Sequence, residues 1–79
     1  MAKVTSDLLG QVTSVCCKEN QFVAKDQTIL HITTDGSNVE FIKSPIDGIL
    51  QTLHISIGES IKSSGYSYLI SNIILNSNY

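Results

Sequence analysis

Arginine is missing from this 79-residue chain, and all five basic residues are lysine. Against seven acids they leave a formal net charge of -2, which offers no basic face to a nucleic-acid backbone and no polybasic patch to a lipid surface. Long apolar runs are missing too: no stretch approaches the ~20 apolar residues of a membrane-spanning helix. Met1-Ala2-Lys3 leads into a strand-like run with no apolar signal segment, so the expectation is a soluble domain that does not itself insert into a membrane. Proline occurs once, as Pro45. It cannot donate to a sheet ladder and belongs at a strand end or corner.

The patterns that carry catalysis are also absent. Serine is abundant, yet no G-x-S-x-G elbow and no acid/His partner accompanies any of its copies. Gly58-Glu59-Ser60 and Gly65 form no phosphate-cradling loop between a strand and a helix. A chain this short is one domain that buries only about 60 to 65% of its unfolded surface, which leaves no room for a separate catalytic unit. The expectation is a protein that is not an enzyme.

Cys16 and Cys17 are adjacent in a strand-like run, so their side chains point to opposite faces and cannot readily pair or share a metal. One is expected in the core and the other nearer the surface. His31 and His54 are lone imidazoles with no third ligand at metal-binding spacing, and no metal site is predicted.

What is present is a repeat. Shifted by 38 residues without gaps, the chain matches itself: Val4 meets Ile42, Ser6 meets Ser44, Gly10 meets Gly48 and Val12 meets Leu50. Val15 then meets Leu53, Cys17 meets Ile55, Val23 meets Ile61 and Ile32 meets Ile70. Few of these pairs are identities, so the signal is hydrophobic phase and glycine placement, as in a drifted structural repeat.

Residues 11–17, 28–33, 39–43 and 49–57 are rich in Val, Ile, Thr and Phe and are bounded by turn formers, and they read as strands. In Leu53-His54-Ile55-Ser56-Ile57 the apolar residues alternate, the period of a strand with one buried face. Turns are expected at Glu19-Asn20-Gln21, Asp35-Gly36 and Gly58-Glu59. Asn20 stands opposite Gly58 in the repeat, and both residues tolerate positive φ. Residues 73–75 add a last strand or mark where a longer chain continues. Seven or eight short strands in this length make an all-β barrel or sandwich.

The stretch from Lys18 to Leu30 resembles the K-E-G-D-x-V-x-K-G-Q-x-L stretch of biotinyl/lipoyl domains. Ile42-Lys43-Ser44-Pro45-Ile46-Asp47-Gly48-Ile49-Leu50 resembles that family's I-x-[AS]-P-x-D-G-x-[VL] stretch, and Ser-Pro-x-Asp-Gly is its most specific part. With Gly58-Glu59-Ser60-Ile61 and Gly65, the likeness covers about residues 4 to 70. It implies a flattened β-barrel, the barrel-sandwich hybrid, made of two four-stranded halves related by a pseudo-two-fold axis. The whole chain, 1–79, would be one such domain: half one about 4–34, half two about 42–72, joined by a hairpin at 33–41. Val12, Val15, Val23, Leu30, Leu50, Leu53, Ile55, Ile61 and Leu69 are the expected core, and Gly10 and Gly48 are expected to let the backbone turn sharply.

In carrier members of that family, a lysine at the tip of the joining hairpin takes biotin or lipoate in amide linkage. Here the hairpin reads Ile32-Thr33-Thr34-Asp35-Gly36-Ser37-Asn38-Val39-Glu40. Matching Thr34-Asp35 to the lipoyl pattern E-T-D-K-A puts Gly36 at the lysine position, and counting back from Pro45 puts Ser37 there. Neither count supplies an amine. Lys43 is the nearest lysine, and Lys18, Lys25 and Lys62 fall in other loops or strands. A plain two-residue type I′ turn at Asp35-Gly36 is the expected conformation.

The resemblance therefore implies a lysine-less structural or docking module with no cofactor, its docking candidates Asp35, Gly36, Ser37 and Asn38. It is most similar to the lipoyl-like domain of membrane fusion (adaptor) proteins of export systems, which stack on neighbouring subunits. Protein partners or self-association are then expected, outside the cytoplasm in an adaptor and in the cytoplasm if the chain is free-standing. The alternative is a degenerate or lysine-substituted biotin or lipoate carrier of a carboxylase or 2-oxoacid dehydrogenase-type complex. A third reading is a free-standing relative that competes for a carrier enzyme's docking surface.

Overall fold

In the computed structural model, residues 2–4, 9–34, 38–61 and 72–78 are described, and they form strands and turns with no helical element. The strands are β1 (Ala2–Lys3), β2 (Gly10–Val15), β3 (Phe22–Val23), β4 (Thr28–Thr33), β5 (Val39–Lys43), β6 (Gly48–Leu53), β7 (Ser60–Ile61) and β8 (Ile73–Asn76). They make two antiparallel four-stranded sheets, ordered β1-β8-β6-β3 and β5-β4-β2-β7. Each sheet takes two strands from the first half of the chain and two from the second, so neither half can fold around a core of its own.

The strands β4 and β5 match the sequence expectation residue for residue. The run expected to continue to Ile57 stops at Leu53, and Ile57 is 68% exposed. The period-two signal failed there because the turn at residues 56–59 begins inside it. Residues 73–75 do form a strand. Ile73 and Leu75 are wholly buried, and β8 lies between β1 and β6.

Apolar residues from both sheets fill one core. Val12, Val23, Leu30, Leu50, Ile55 and Ile61 are buried as expected, while Val15 and Leu53 pack against the cluster half-buried. Leu69 lies outside the described residues. Val4, Cys17, Ile29, Ile32 and Ile42 are buried as well. Each wholly buried Leu, Ile or Val contributes about 1.5–3 kcal/mol relative to exposure.

The strand ladders repeat. Gly10↔Ile61 and Gln11↔Ser60 join β2 to β7, and Gly48↔Val23 and Ile49↔Phe22 join β6 to β3, each residue 38 positions from its counterpart. In the β2–β4 ladder Gln11, Val12, Ser14 and Val15 face Thr33, Ile32, His31 and Leu30, with an irregularity between Val12 and Ser14. In the β6–β8 ladder Ile49, Leu50, Thr52 and Leu53 face Asn76, Leu75, Ile74 and Ile73, with the irregularity between Leu50 and Thr52. The first members keep the 38-residue shift, but the second members differ by 43, as Thr33 and Asn76 do. The counterpart of Ile32 in the ladder is therefore Leu75. The gapless match had paired it with Ile70, which lies outside the described residues. The slip has a simple cause: Val23 and Leu30 are seven residues apart, whereas Ile61 and Ile73 are twelve apart.

The turns share one construction. In Lys18–Gln21, Ala24–Gln27 and Ser56–Glu59 the fourth residue's N–H donates to the first residue's carbonyl at 3.2, 3.0 and 3.1 Å. In each the fourth side chain's Oε1 also accepts from the first residue's N–H, at 3.1, 3.0 and 3.1 Å. The third residue has positive φ: 69° at Asn20, 68° at Asp26 and 91° at Gly58. That is the requirement of a type II turn, and Asn20 and Gly58 are the pair expected to meet it. Asp26 holds left-handed backbone without a glycine's freedom. Asp26→Gly is expected to raise stability by about 0.5–1 kcal/mol in urea unfolding, and a lowered midpoint would show that the carboxylate has a stabilising partner.

Gly10 and Gly48 serve a different purpose from the sharp turn expected of them. Both begin strands, and of the described glycines only Gly58 has positive φ. A Cβ on Gly10 would run into the carbonyl oxygen of Thr33 and come within 2.8 Å of Ile32 Cγ2. A Cβ on Gly48 would lie 2.8 Å from the carbonyl oxygen of Asn76. Close approach of a neighbouring strand explains both glycines.

The Ser44-Pro45-Ile46-Asp47-Gly48 element fastens the end of β5 to the turn before β4. Ser44 is buried, and its hydroxyl donates to the Ile46 carbonyl at 2.6 Å. Its backbone exchanges bonds with that turn, Ser44 N–H to Gln27 O at 2.9 Å and Asp26 N–H to Ser44 O at 2.8 Å. Asp47 Oδ1 accepts from Lys25 N–H at 2.7 Å. Pro45, exposed at the corner, has no ladder donor to lose.

Candidate functional site

The junction between the repeated segments is the β4–β5 hairpin. Its ladder pairs Ile32 with Glu40 and Thr33 with Val39, and Thr34 closes it by donating its N–H to the Asn38 carbonyl at 2.8 Å. The Thr34 hydroxyl donates to the same oxygen at 3.3 Å. A two-residue turn at Asp35-Gly36 would have joined Thr34 to Ser37. Closure on Asn38 instead leaves three residues between the paired positions and centres the ladder on residue 36. Of the four docking candidates, Asn38 is exposed, while Asp35, Gly36 and Ser37 lie outside the described residues.

Lys18, Lys25 and Lys43 stand away from this hairpin end. Lys43 ends β5 opposite Thr28, at the far end of the hairpin, and is exposed. Lys18 and Lys25 are exposed in the two turns described above, and Lys62 lies outside the described residues. Val39 and Phe41, on the outer side of β5, are 49% and 52% exposed.

The histidines fall in different surroundings. His54 lies 3.8 Å from Glu19 Oε2, an exposed pair worth about 0–1 kcal/mol at most. The same Glu19 oxygen accepts the Leu53 N–H at 2.9 Å, so its main work is to satisfy a strand end. His31 is half-buried, with its ring edge-on to Phe41 at a centroid distance of 4.7 Å and an angle of 66°. Its Nε2 lies 3.6 Å from Cys16 Sγ. Sequence reasoning treated these two residues separately. Their meeting depends on the register that sets His31 opposite Ser14, two residues before Cys16.

The cysteines divide as expected: both are free, Cys16 exposed and Cys17 buried. The Cys17 thiol donates to the Thr28 carbonyl at 3.5 Å, and Gln27 Nε2 donates to its sulfur at 3.8 Å. Burial pushes the Cys17 thiol up from its ordinary value, the neighbouring Cys16 adds to this, and the Gln27 amide partly offsets it.

Among the described residues no three His, Cys, Asp or Glu side chains gather as a metal site would require, and no helix is long and apolar enough to cross a membrane. Compared with models of known families and with curated proteins, the chain matches none.

Proposed function

We propose that the chain is a lysine-less relative of the biotinyl/lipoyl domains, a flattened barrel of two pseudo-two-fold related halves that acts as a structural and docking module. The fold reading is supported by the recurrence of ladder pairs at constant shifts, including an irregularity at the same place in the β2–β4 and β6–β8 ladders. Four loop hydrogen bonds recur in the same way. Val12 N–H to Glu59 O and Gly58 N–H to Val12 O have counterparts in Leu50 N–H to Gln21 O and Asn20 N–H to Leu50 O, all at 2.7 to 2.9 Å.

The functional reading is carried by one observation: the hairpin joining the two halves has no lysine between Lys25 and Lys43. The ladder's centre at residue 36 supports the count that sets Gly36 where carriers hold their lysine. Without an amine there is no amide to biotin or lipoate, and the module has no cofactor to swing between active sites. A docking role remains, of the kind filled by the lipoyl-like domain of adaptor proteins in export systems.

Co-expression with biotin and lipoate ligases, followed by intact-mass measurement, tests this. The expected result is the unmodified mass. A gain of one biotinyl or lipoyl group overturns the reading and makes the chain a carrier that uses an unexpected amine.

A further inference from the structure

The outer side of the β5-β4-β2-β7 sheet brings together a nucleophile and a base that the docking reading does not use. Cys16, just past β2, is exposed, and His31 on β4 approaches it from the neighbouring strand with Nε2 3.6 Å from Sγ. Phe41 on β5, paired with His31 in the ladder, fixes the imidazole edge-on from the other side. A thiol within reach of an imidazole whose ring is held by a third residue is the arrangement of an activated sulfur nucleophile. Cys17 provides the internal contrast. It is buried, bonded to the Thr28 carbonyl and packed into the core, so a reagent in solution cannot reach it.

We propose that Cys16 is a thiol-exchange site that forms a mixed disulfide with low-molecular-weight disulfides, His31 accepting its proton. The Sγ–H proton passes to Nε2 of neutral His31, and the Cys16 thiolate attacks one sulfur of the incoming disulfide. A new S–S bond forms as the old one breaks, and the displaced thiolate takes the proton back from His31 and leaves as a thiol. Cys16 is oxidised and the departing sulfur is reduced, so the incoming disulfide is the only oxidant needed. The reverse exchange with excess small thiol restores Cys16. The adduct projects from exposed Cys16, on the side of His31 away from Phe41, where it adds bulk without entering the core.

The test uses the full folded chain with oxidised glutathione and, separately, iodoacetamide, adducts being located by mass spectrometry. One mixed disulfide is expected, on Cys16, with Cys17 reacting only after unfolding and Cys16→Ser taking up none. In His31→Gln, alkylation of Cys16 is expected to slow about tenfold near pH 7. The gap should close near pH 10, where hydroxide can take the proton and a neighbouring base is no longer needed. Protection of Cys17 in that variant reports that it is folded. An adduct on Cys17 in the folded chain, or equal rates for parent and variant near pH 7, overturns the proposal. A gap that persists near pH 10 also overturns it, because it would mean that His31 governs access and not the proton.

Discussion

Gly10→Ala is expected to lower stability by about 3 kcal/mol, at the upper end of what overpacking ordinarily costs. The added methyl meets the Thr33 carbonyl oxygen and Ile32 Cγ2, and both belong to β4, a strand hydrogen-bonded on either side. Neither atom is the free end of a flexible side chain that could swing away. The β2–β4 ladder must open, or β2 must shift from Ile61 on its other side. A domain of this length has about 4–12 kcal/mol in total, so the loss is a large share of it. Gly58→Ala is the informative control. Nothing lies within 4 Å of its would-be Cβ, and only the φ of 91° opposes a side chain, which costs about 1–2 kcal/mol. Urea unfolding followed by far-ultraviolet circular dichroism ranks the two. If Gly10→Ala proved milder than Gly58→Ala, close strand approach would be the wrong explanation for Gly10.

Leu75→Ala is expected to cost about 2–5 kcal/mol, the range for deleting a buried aliphatic side chain, and to match Ile32→Ala within about 1 kcal/mol. Both residues are wholly buried, and they occupy corresponding ladder positions opposite Leu50 and Val12. The same unfolding measurement checks the pair. A Leu75→Ala variant as stable as the parent would remove β8 from the core and with it the 43-residue correspondence. The prediction matters for the functional proposal because β8 completes the second ladder, and the equivalence of the two ladders supports the two-half reading.

Much of this architecture was readable because it depends on short-range pattern. Thr28–Thr33 and Val39–Lys43 are rich in Ile, Thr, Val and Phe and bounded by turn formers, and both strands formed where expected. Asn20 and Gly58 could be picked out as positive-φ positions because few residue types accept that backbone. The split between an exposed Cys16 and a buried Cys17 followed from adjacency in an extended segment. Other features were hidden. Nothing local in Ile73-Ile74-Leu75-Asn76 distinguishes a central strand from an apolar tail, since that depends on pairing with β1 and β6. The glycines at 10 and 48 look like turn residues in the sequence, and only the distance to Thr33 and Asn76 shows that they make room for another strand.

The candidate site divides in the same way. Absence of lysine between Lys25 and Lys43 is a property of the sequence. By itself the chain determined its all-β character, most of its buried positions, the 38-residue recurrence of its apolar and glycine positions and the lack of lysine between Lys25 and Lys43. These follow from the strand preference of Val, Ile, Thr and Phe, from turn-forming residues and from residue chemistry. Tertiary structure decided the five-residue slip that makes Leu75 the counterpart of Ile32, the closure of the hairpin on Asn38 and the meeting of Cys16 with His31. Each of these depends on which strands pair and in what register, and register is set by packing between segments far apart in the chain.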